Sequence, residues 1–311
     1  MQDQNTSLAA PGSDVTAGPP ESRLTRLSPL LRRVIANNAG PFTYTGTCSY
    51  IVGEGRVAIV DPGPAGHDEH VAALLEAVRG ETVSHIVVTH THRDHSPAAR
   101  ALKAQTGAPI VGCGPHRPAR PRADGLQDGL DSGGDREHAP DQLMRDGDTV
   151  AGPGWTLKAV ATPGHTANHL AFALAEDGAL LSGDQVMAWS TTVIAPPDGS
   201  MADYMASLRH LLTLEHAIYW PGHGGPVREP ARYVRGLIAH RKQRERLILE
   251  AVKAGAQSVA AIVEQAYPAI AAKLVGAASL STLAHLEWLV EQGLVASEDG
   301  EVSMKALYRP V

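Results

Sequence analysis

Two cysteines, Cys48 and Cys113, are all that the 311 residues contain. That is too few for a disulfide framework or a four-cysteine zinc site, and such sparing use fits a reducing compartment. No run approaches the ~18 to 20 consecutive apolar residues that cross a bilayer. Residues 1–22 have neither a basic start nor an apolar middle, so neither a membrane span nor an export signal is expected, and the chain reads as cytoplasmic. Basic excess is missing too: 27 Lys plus Arg stand against 33 Asp plus Glu, a net charge of −6. A protein that coats duplex DNA depends on neutralising phosphates, so that class is disfavoured. Phenylalanine (two) and methionine (six) are scarce, whereas histidine, the commonest metal ligand, occurs 15 times.

Residues 1–22 are polar and rich in Gly and Pro, with too little apolar surface to offset the entropy of ordering, and read as a mobile tail. Apolar, β-branched runs at 49–52 and 56–60 flank Gly53-Glu54-Gly55, a hairpin signal. Helical spacing over 70–78 and a buried-strand pattern over 84–89 follow. Ser96-Pro97 then signals a helix start and Gly107 its end. From 117 to 142 apolar residues nearly vanish, the signature of a lid or flexible insertion. Strands are expected at 156–161, 170–174, 179–181 and 217–220, and helices at 204–215 and 230–253. Beyond about 254 the pattern becomes short helices (259–267, 280–292) and two strand-like pieces (294–297, 301–304), as in a small winged-helix-like module. With eight basic and eight acidic residues over 236–311, that module lacks the surface of a groove reader. Docking, dimerisation or shaping the mouth of a site suits it better. The expected division is therefore a 1–22 tail, a catalytic domain over 23–235 and a C-terminal domain over 236–311.

The sharpest motif is Thr89-His90-Thr91-His92-Arg93-Asp94-His95, set between a strand and a helix. At this composition roughly 0.002 chance matches to H-x-H-x-D-H are expected, so coincidence is a poor explanation. Alternation along an extended turn lets His90 and His92 converge on one ion while Asp94 and His95 turn to a second position. Imidazole and carboxylate donors suit zinc, with iron or manganese as alternatives. Four groups do not complete two coordination spheres, and further donors stand at later strand ends: His165 in Pro163-Gly164-His165-Thr166, Asp184 in Ser182-Gly183-Asp184, and His223 in Pro221-Gly222-His223-Gly224. Small neighbours at each allow close backbone approach. A structural zinc site would be closed by four ligands with cysteine prominent, so seven His and Asp donors point to catalysis.

This set resembles the metallo-β-lactamase superfamily. The resemblance implies an α/β fold, a four-layer αβ/βα sandwich with a two-metal site along one edge of the sheets. It also implies that His90, His92 and His165 hold one divalent ion, that Asp94, His95 and His223 hold another, and that Asp184 bridges them. Asn38-Ala39-Gly40-Pro41-Phe42-Thr43, Tyr204-Met205-Ala206-Ser207-Leu208 and His240-Arg241-Lys242-Gln243-Arg244-Glu245 are further similar to the lactamase-beta-like group. Its animal member is a mitochondrial endoribonuclease for single-stranded RNA, and its members carry a C-terminal winged-helix-like module. The likeness spans roughly residues 35–305 and departs at 117–142 and at Pro196-Pro197-Asp198-Gly199-Ser200.

Two cations sharing a water lower its pKa toward ~7, giving a hydroxide nucleophile at neutral pH. The expected activity is metal-dependent hydrolysis of an ester, thioester, amide or phosphodiester, with Asp94 orienting the nucleophile and Asp184 joining the two ions. Asp61 resembles the family's aspartate that braces the metal loop, against a purely local turn role. His169 reads as a pocket or proton-donating group or as packing. Thr191 and Thr192 read as substrate contacts or turn caps. The remaining histidines read as surface or core residues, and Arg241-Lys242-Gln243-Arg244-Glu245-Arg246 as a solvated helix face or an RNA-backbone contact. The substrate is a small molecule or a single-stranded nucleic acid, and a homodimer is compatible with the sequence. Endoribonuclease, β-lactamase or lactonase activity and a non-catalytic binding role are the competing readings.

Overall fold

The computed structural model describes residues 24–120 and 133–311; the tail expected over 1–22 and the middle of the 117–142 insertion lie outside the described residues. Two sheets form the centre. The first runs in chain order: β1 (Leu24–Arg26), β2 (Leu31–Ile35), β3 (Cys48–Val52), β4 (Arg56–Val60), β5 (Thr82–Val88), β6 (Ile110–Gly112) and β7 (Gln142–Leu143). It is antiparallel through β4 and parallel from β4 to β7. The change follows from chain length, because Gly53-Glu54-Gly55 closes a hairpin while α1 (Asp68–Ala77) and α2 (Ala98–Thr106) carry the crossovers that parallel pairing needs. The second sheet has the order β12 (Ile218–Pro221), β11 (Ala179–Gly183), β10 (Leu170–Leu174), β9 (Trp155–Ala161), β8 (Thr149–Gly152).

Period-two alternation decides how the second sheet is covered. Leu170, Phe172 and Leu174 of β10 join a core with β3, β4, β5, α1 and α2. Ala171 and Ala173 join another with α3 (Met201–Leu211) and α4 (Pro230–Lys253). The result is helix, sheet, sheet, helix, the sandwich that the family resemblance implies. A buried side chain of Phe or Leu size contributes roughly 1.5 to 3 kcal/mol, so these alternating faces dominate the stability. A third core packs the end of α4 (Ile248, Ala251, Val252) with α5 (Val259–Ala266), α6 (Val275–Glu291) and the ribbon of β13 (Val295–Ser297) and β14 (Tyr308–Pro310). Helix α4 is continuous through residues 235 and 236, with Tyr233, Val234 and Leu237 in the second core. No helix among the described residues is long and apolar enough to cross a membrane.

Several elements differ from expectation. Leu24–Arg26 and Leu31–Ile35 are strands whose short mixed patterns give no clear signal. β13 pairs not with 301–304 but with β14. Tyr308 there is fully buried, and its hydroxyl donates to the Ser303 carbonyl at 2.7 Å, so the 301–304 stretch becomes the loop that Tyr308 pins. Ser96 does not cap α2: its hydroxyl donates to Asp135 Oδ2 at 2.8 Å. That contact also shows the described end of the insertion to be packed against the molecule. Asp135 is buried, pairs with Arg100 at 3.1 Å, and Gly134 bridges to His92.

Candidate metal centre

All seven donors collect at one end of the two sheets, where β5, β11 and β12 end and the chain leaves β9. His90, His92, Asp94 and His95 fill the turn between β5 and α2. His165 follows β9, Asp184 follows β11, and His223 follows β12. One potential ligand atom from each of His90, His92 and His165 lies within 4.8 Å of the other two, and the same holds for Asp94, His95 and His223. Asp184 stands between these groups: Oδ2 is 3.6 Å from His165 Nε2 and 3.4 Å from His223 Nε2, and Oδ1 is 3.6 Å from His95 Nε2. Close approach depends on glycine. A Cβ on Gly222 would fall 2.4 Å from Asp184 Oδ1 and 2.6 Å from His95 Cε1.

Each of the five imidazoles has one ring nitrogen tied from outside, which fixes the ring and turns the other nitrogen inward. His90 Nδ1 meets Thr89 Oγ1 at 2.9 Å, and His95 Nδ1 donates to Asp61 Oδ2 at 3.0 Å. His165 Nδ1 donates to the Val193 carbonyl at 2.8 Å and His223 Nδ1 to the Gly46 carbonyl at 3.3 Å. His92 is tied through its other nitrogen, Nε2, 3.4 Å from Asp198 Oδ2. The inward Nε2 atoms of His90 and His165 and Oδ1 of Asp184 are buried with no hydrogen-bond partner among the described residues. Leaving such groups unpaired costs roughly 1 to 3 kcal/mol each, so a fold that keeps three together is suited to something that binds them.

Electrostatics divides the site in two. Burial would strip His95 of charge, but the carboxylates of Asp94 and Asp184 outweigh it and hold the pKa well above the ordinary value. His223 is pushed up to about 10, against burial, chiefly by Asp184. Reciprocally, burial would raise Asp94 and Asp184, yet His95 and His223 hold both well below the usual carboxylate range. On the other side burial keeps His90 neutral, aided by the charge of His95, and lowers His165 to about 4, aided by His92. One half thus holds positive charge between carboxylates, charge that a divalent cation would supply in place of the His95 and His223 protons, and the other presents neutral lone pairs. The donors present therefore fit a metal pair of the zinc, iron or manganese type, with no thiolate among them.

The supporting residues are now placed. Asp61 braces the motif: Oδ1 accepts from the Thr89 N–H at 2.8 Å, and Oδ2 accepts from the Thr89 hydroxyl at 2.7 Å and from His95. Its carboxylate is thereby used up, although Asp61, His90 and His95 also lie close enough to hold an ion. His169 is buried, with Nε2 accepting from the Asp184 N–H at 3.1 Å and Nδ1 against Thr162 Oγ1 at 2.8 Å, so it braces Asp184. Thr192 is buried and its hydroxyl donates to the Asp184 carbonyl at 2.7 Å, a turn cap; Thr191 is buried beside it.

Sequence reasoning passed over three residues. Asp198 accepts from His92 and lies 3.3 Å from His116 Nε2, so both histidines border the site. Arg241, read as part of a solvated face, is 3% exposed and donates to the Thr192 carbonyl. Nothing in the local sequence marks either, because their partners lie 106 and 49 residues away. Beside His223, which forms a bridge with Thr47, Tyr44 stacks on Trp189 with ring centroids 5.0 Å apart, and Phe42 is 63% exposed.

Comparison with known proteins agrees with this geometry. Residues 43–223 match the family model described as the metallo-beta-lactamase superfamily, and residues 258–303 match a beta-lactamase associated winged helix domain. A beta-lactamase-like protein 2 homolog of Caenorhabditis elegans is 35% identical over 73% of this chain and 72% of its own. An atrochrysone carboxyl ACP thioesterase of Paecilomyces divaricatus is 31% identical over 75% of this chain and 68% of its own. A beta-lactamase domain protein from Burkholderia ambifaria shares the fold at a TM-score of 0.75, 23% identity and 97% coverage of both chains. Donor cluster, layered sheets and matched residues converge, and the chain belongs to the metallo-β-lactamase superfamily.

Proposed function

We propose that this superfamily hydrolase cleaves thioesters with a dinuclear metal centre. His90, His92 and His165 would hold one ion, Asp94, His95 and His223 the other, and Asp184 would touch both. The carrying observation is the outside contact on one ring nitrogen of each of the five imidazoles, because a fold that holds five rings with their other nitrogens toward two adjacent positions is pre-organised for cations. Divalent ions bound there supply Lewis acidity, activating water at neutral pH and polarising a carbonyl. The chain's own residues do the rest. Asp94 has 27% of its side chain exposed, the most open carboxylate of the set, and is placed to orient the attacking water by accepting a hydrogen bond from it. Asp184, at 8%, is dry and holds position.

Three observations support a thioester as the substrate. The Tyr44–Trp189 stack, close in the fold to His223, offers an aromatic surface that an acyl chain could lie against. Of the basic run over 241–246, Arg241 is buried and engaged, and the chain is acidic overall, so polyanion binding has less support than acyl transfer to water. Thioesterase-named relatives point the same way. The test is a panel of acyl thioesters, lactones, β-lactams and single-stranded RNA on metal-analysed protein. Thioesters are expected to turn over fastest, with activity lost to EDTA and restored by zinc. Cleavage of RNA with thioesters inert, or indifference to EDTA, would overturn the reading.

A further inference from the structure

Arg241 of α4 is a buried charge held by neutral groups. Nη1 donates to Ser281 Oγ of α6 at 3.2 Å, Nη2 donates to the Thr192 carbonyl, and the guanidinium carbon lies 5.3 Å from the Tyr204 ring centroid. Among the described residues it forms no ion pair with a carboxylate. Desolvating a guanidinium for two neutral acceptors and one ring is costly, and such a charge is kept where its geometry matters.

The peptide it grips leads to both halves of the metal centre. Thr192, whose carbonyl Arg241 holds, donates its own hydroxyl to the Asp184 carbonyl at 2.7 Å and lies 3.3 Å from the Gln185 carbonyl. The next carbonyl, that of Val193, accepts from His165 Nδ1 at 2.8 Å. A carbonyl only accepts, so this bond requires the proton on Nδ1 and leaves the Nε2 lone pair turned toward Asp184. The 184–193 loop has no regular secondary structure to hold it, and Arg241 fastens it one residue before the carbonyl that sets the His165 tautomer.

We propose that Arg241 is a positioning residue of the metal centre: by clamping the Thr192 carbonyl to Ser281 it fixes His165 and Asp184, and so makes the metal affinity depend on a helix of the C-terminal core. This rests on the reading of His165 and Asp184 as ligands, and the experiment separates the two. Zinc affinity is measured by chelator competition on metal-stripped full-length protein, and the His165 tautomer by nitrogen NMR of the same metal-free protein. The comparison is Arg241→Met with Arg244→Met. Arg244 lies on the same helix but stacks on Tyr267 at 4.6 Å and donates to the Ala266 carbonyl at 3.0 Å, within the C-terminal core.

Arg241→Met is expected to lose roughly 10- to 100-fold in affinity for at least one zinc, the range for removing a group that orients ligands. Its His165 is expected to become a mixture of tautomers. Arg244→Met should keep wild-type affinity and tautomer even if it melts lower. Wild-type affinity in Arg241→Met, or an equal loss in Arg244→Met, overturns the proposal. If Arg241→Met does not fold, Arg241→Lys, which reaches only one of the two acceptors, should lose several-fold, and unchanged affinity and tautomer there overturn it equally. Should the wild-type protein bind no zinc, the metal reading falls, while a His165 tautomer unaltered by Arg241 substitution in metal-free protein would sink this one.

Discussion

Replacing Asp61 by Asn tests how far the metal centre depends on a residue that holds the proposed ligand His95 from outside without being assigned to either ion. Asp61 is buried at φ +50°, a left-handed conformation that Asn tolerates, so the backbone has no reason to move. The Asn carbonyl can still accept from the Thr89 N–H, but an amide NH2 now faces the Thr89 hydroxyl and His95 Nδ1, where a carboxylate oxygen accepted at 2.7 and 3.0 Å. His95 must then accept at Nδ1 and carry its proton on Nε2, the atom 3.2 Å from His223 Nε2 and aimed into the site. A hydrogen bond to a charged group contributes about 1.5 to 3 kcal/mol. At 1.4 kcal/mol per tenfold, its loss predicts zinc binding weaker by roughly 10- to 100-fold. The weaker zinc should be the one held by Asp94, His95 and His223. Competition against a chromophoric chelator measures it, and urea denaturation should show a folded variant less stable by about 1 to 3 kcal/mol. Wild-type affinity at both positions would refute the argument. Asp61→Ala should fare worse, because it also leaves the Thr89 N–H unpaired and places a residue without a side-chain acceptor in the left-handed region.

Three further outcomes follow from the same geometry. Asp184→Asn should lower zinc stoichiometry at both positions by elemental analysis with far-ultraviolet circular dichroism unchanged; one fully retained zinc would show that Asp184 serves only one half. Asp198→Asn should loosen His92 and cost roughly tenfold in affinity by chelator competition, and no change would mean that the 3.4 Å contact does not orient the ring. His240, lowered to about 4 by burial and then by Arg241, favours the neutral form in the folded chain. Above pH ~6.5 neither state binds the proton and the contribution is constant; as pH falls toward 4 only the unfolded chain protonates, so stability drops by up to ~1.4 kcal/mol per unit, about 3 kcal/mol in all. Urea midpoints at pH 7.0, 5.5 and 4.5 should fall more steeply for wild type than for His240→Gln, and parallel slopes would contradict this.

The gathering of the seven His and Asp side chains was legible because two signals coincide. H-x-H-x-D-H fixes four groups on one turn, and His165, Asp184 and His223 each stand where a strand runs out between small residues. The groups that orient them were not, for a physical reason. Val193 and Gly46 act through main-chain carbonyls, which every residue possesses and no motif reveals. Asp198 reaches His92 across a loop whose path composition does not fix. Arg241 was misread because Arg241-Lys242-Gln243-Arg244-Glu245-Arg246 has the charge of an exposed helix, and only packing against α6 shows that one face of that run turns inward. The displaced ribbon has a similar cause: 301–304 has strand-like residues, but Tyr308 supplies the larger buried side chain and takes the pairing.

Helix α4 belongs to two cores at once, Tyr233, Val234 and Leu237 in one and Ile248, Ala251 and Val252 in the other. At 1.5 Å per residue its 24 residues make a rod of about 36 Å. A chain trimmed at residue 235 would keep only six residues of it, too short a stub to persist as a helix in water, and would remove the α4 part of the layer that α3 and α4 make over the second sheet. The winged helix is thus no detachable appendage: the enzyme and its appendix share a spine, and neither half inherits a finished surface if they are separated.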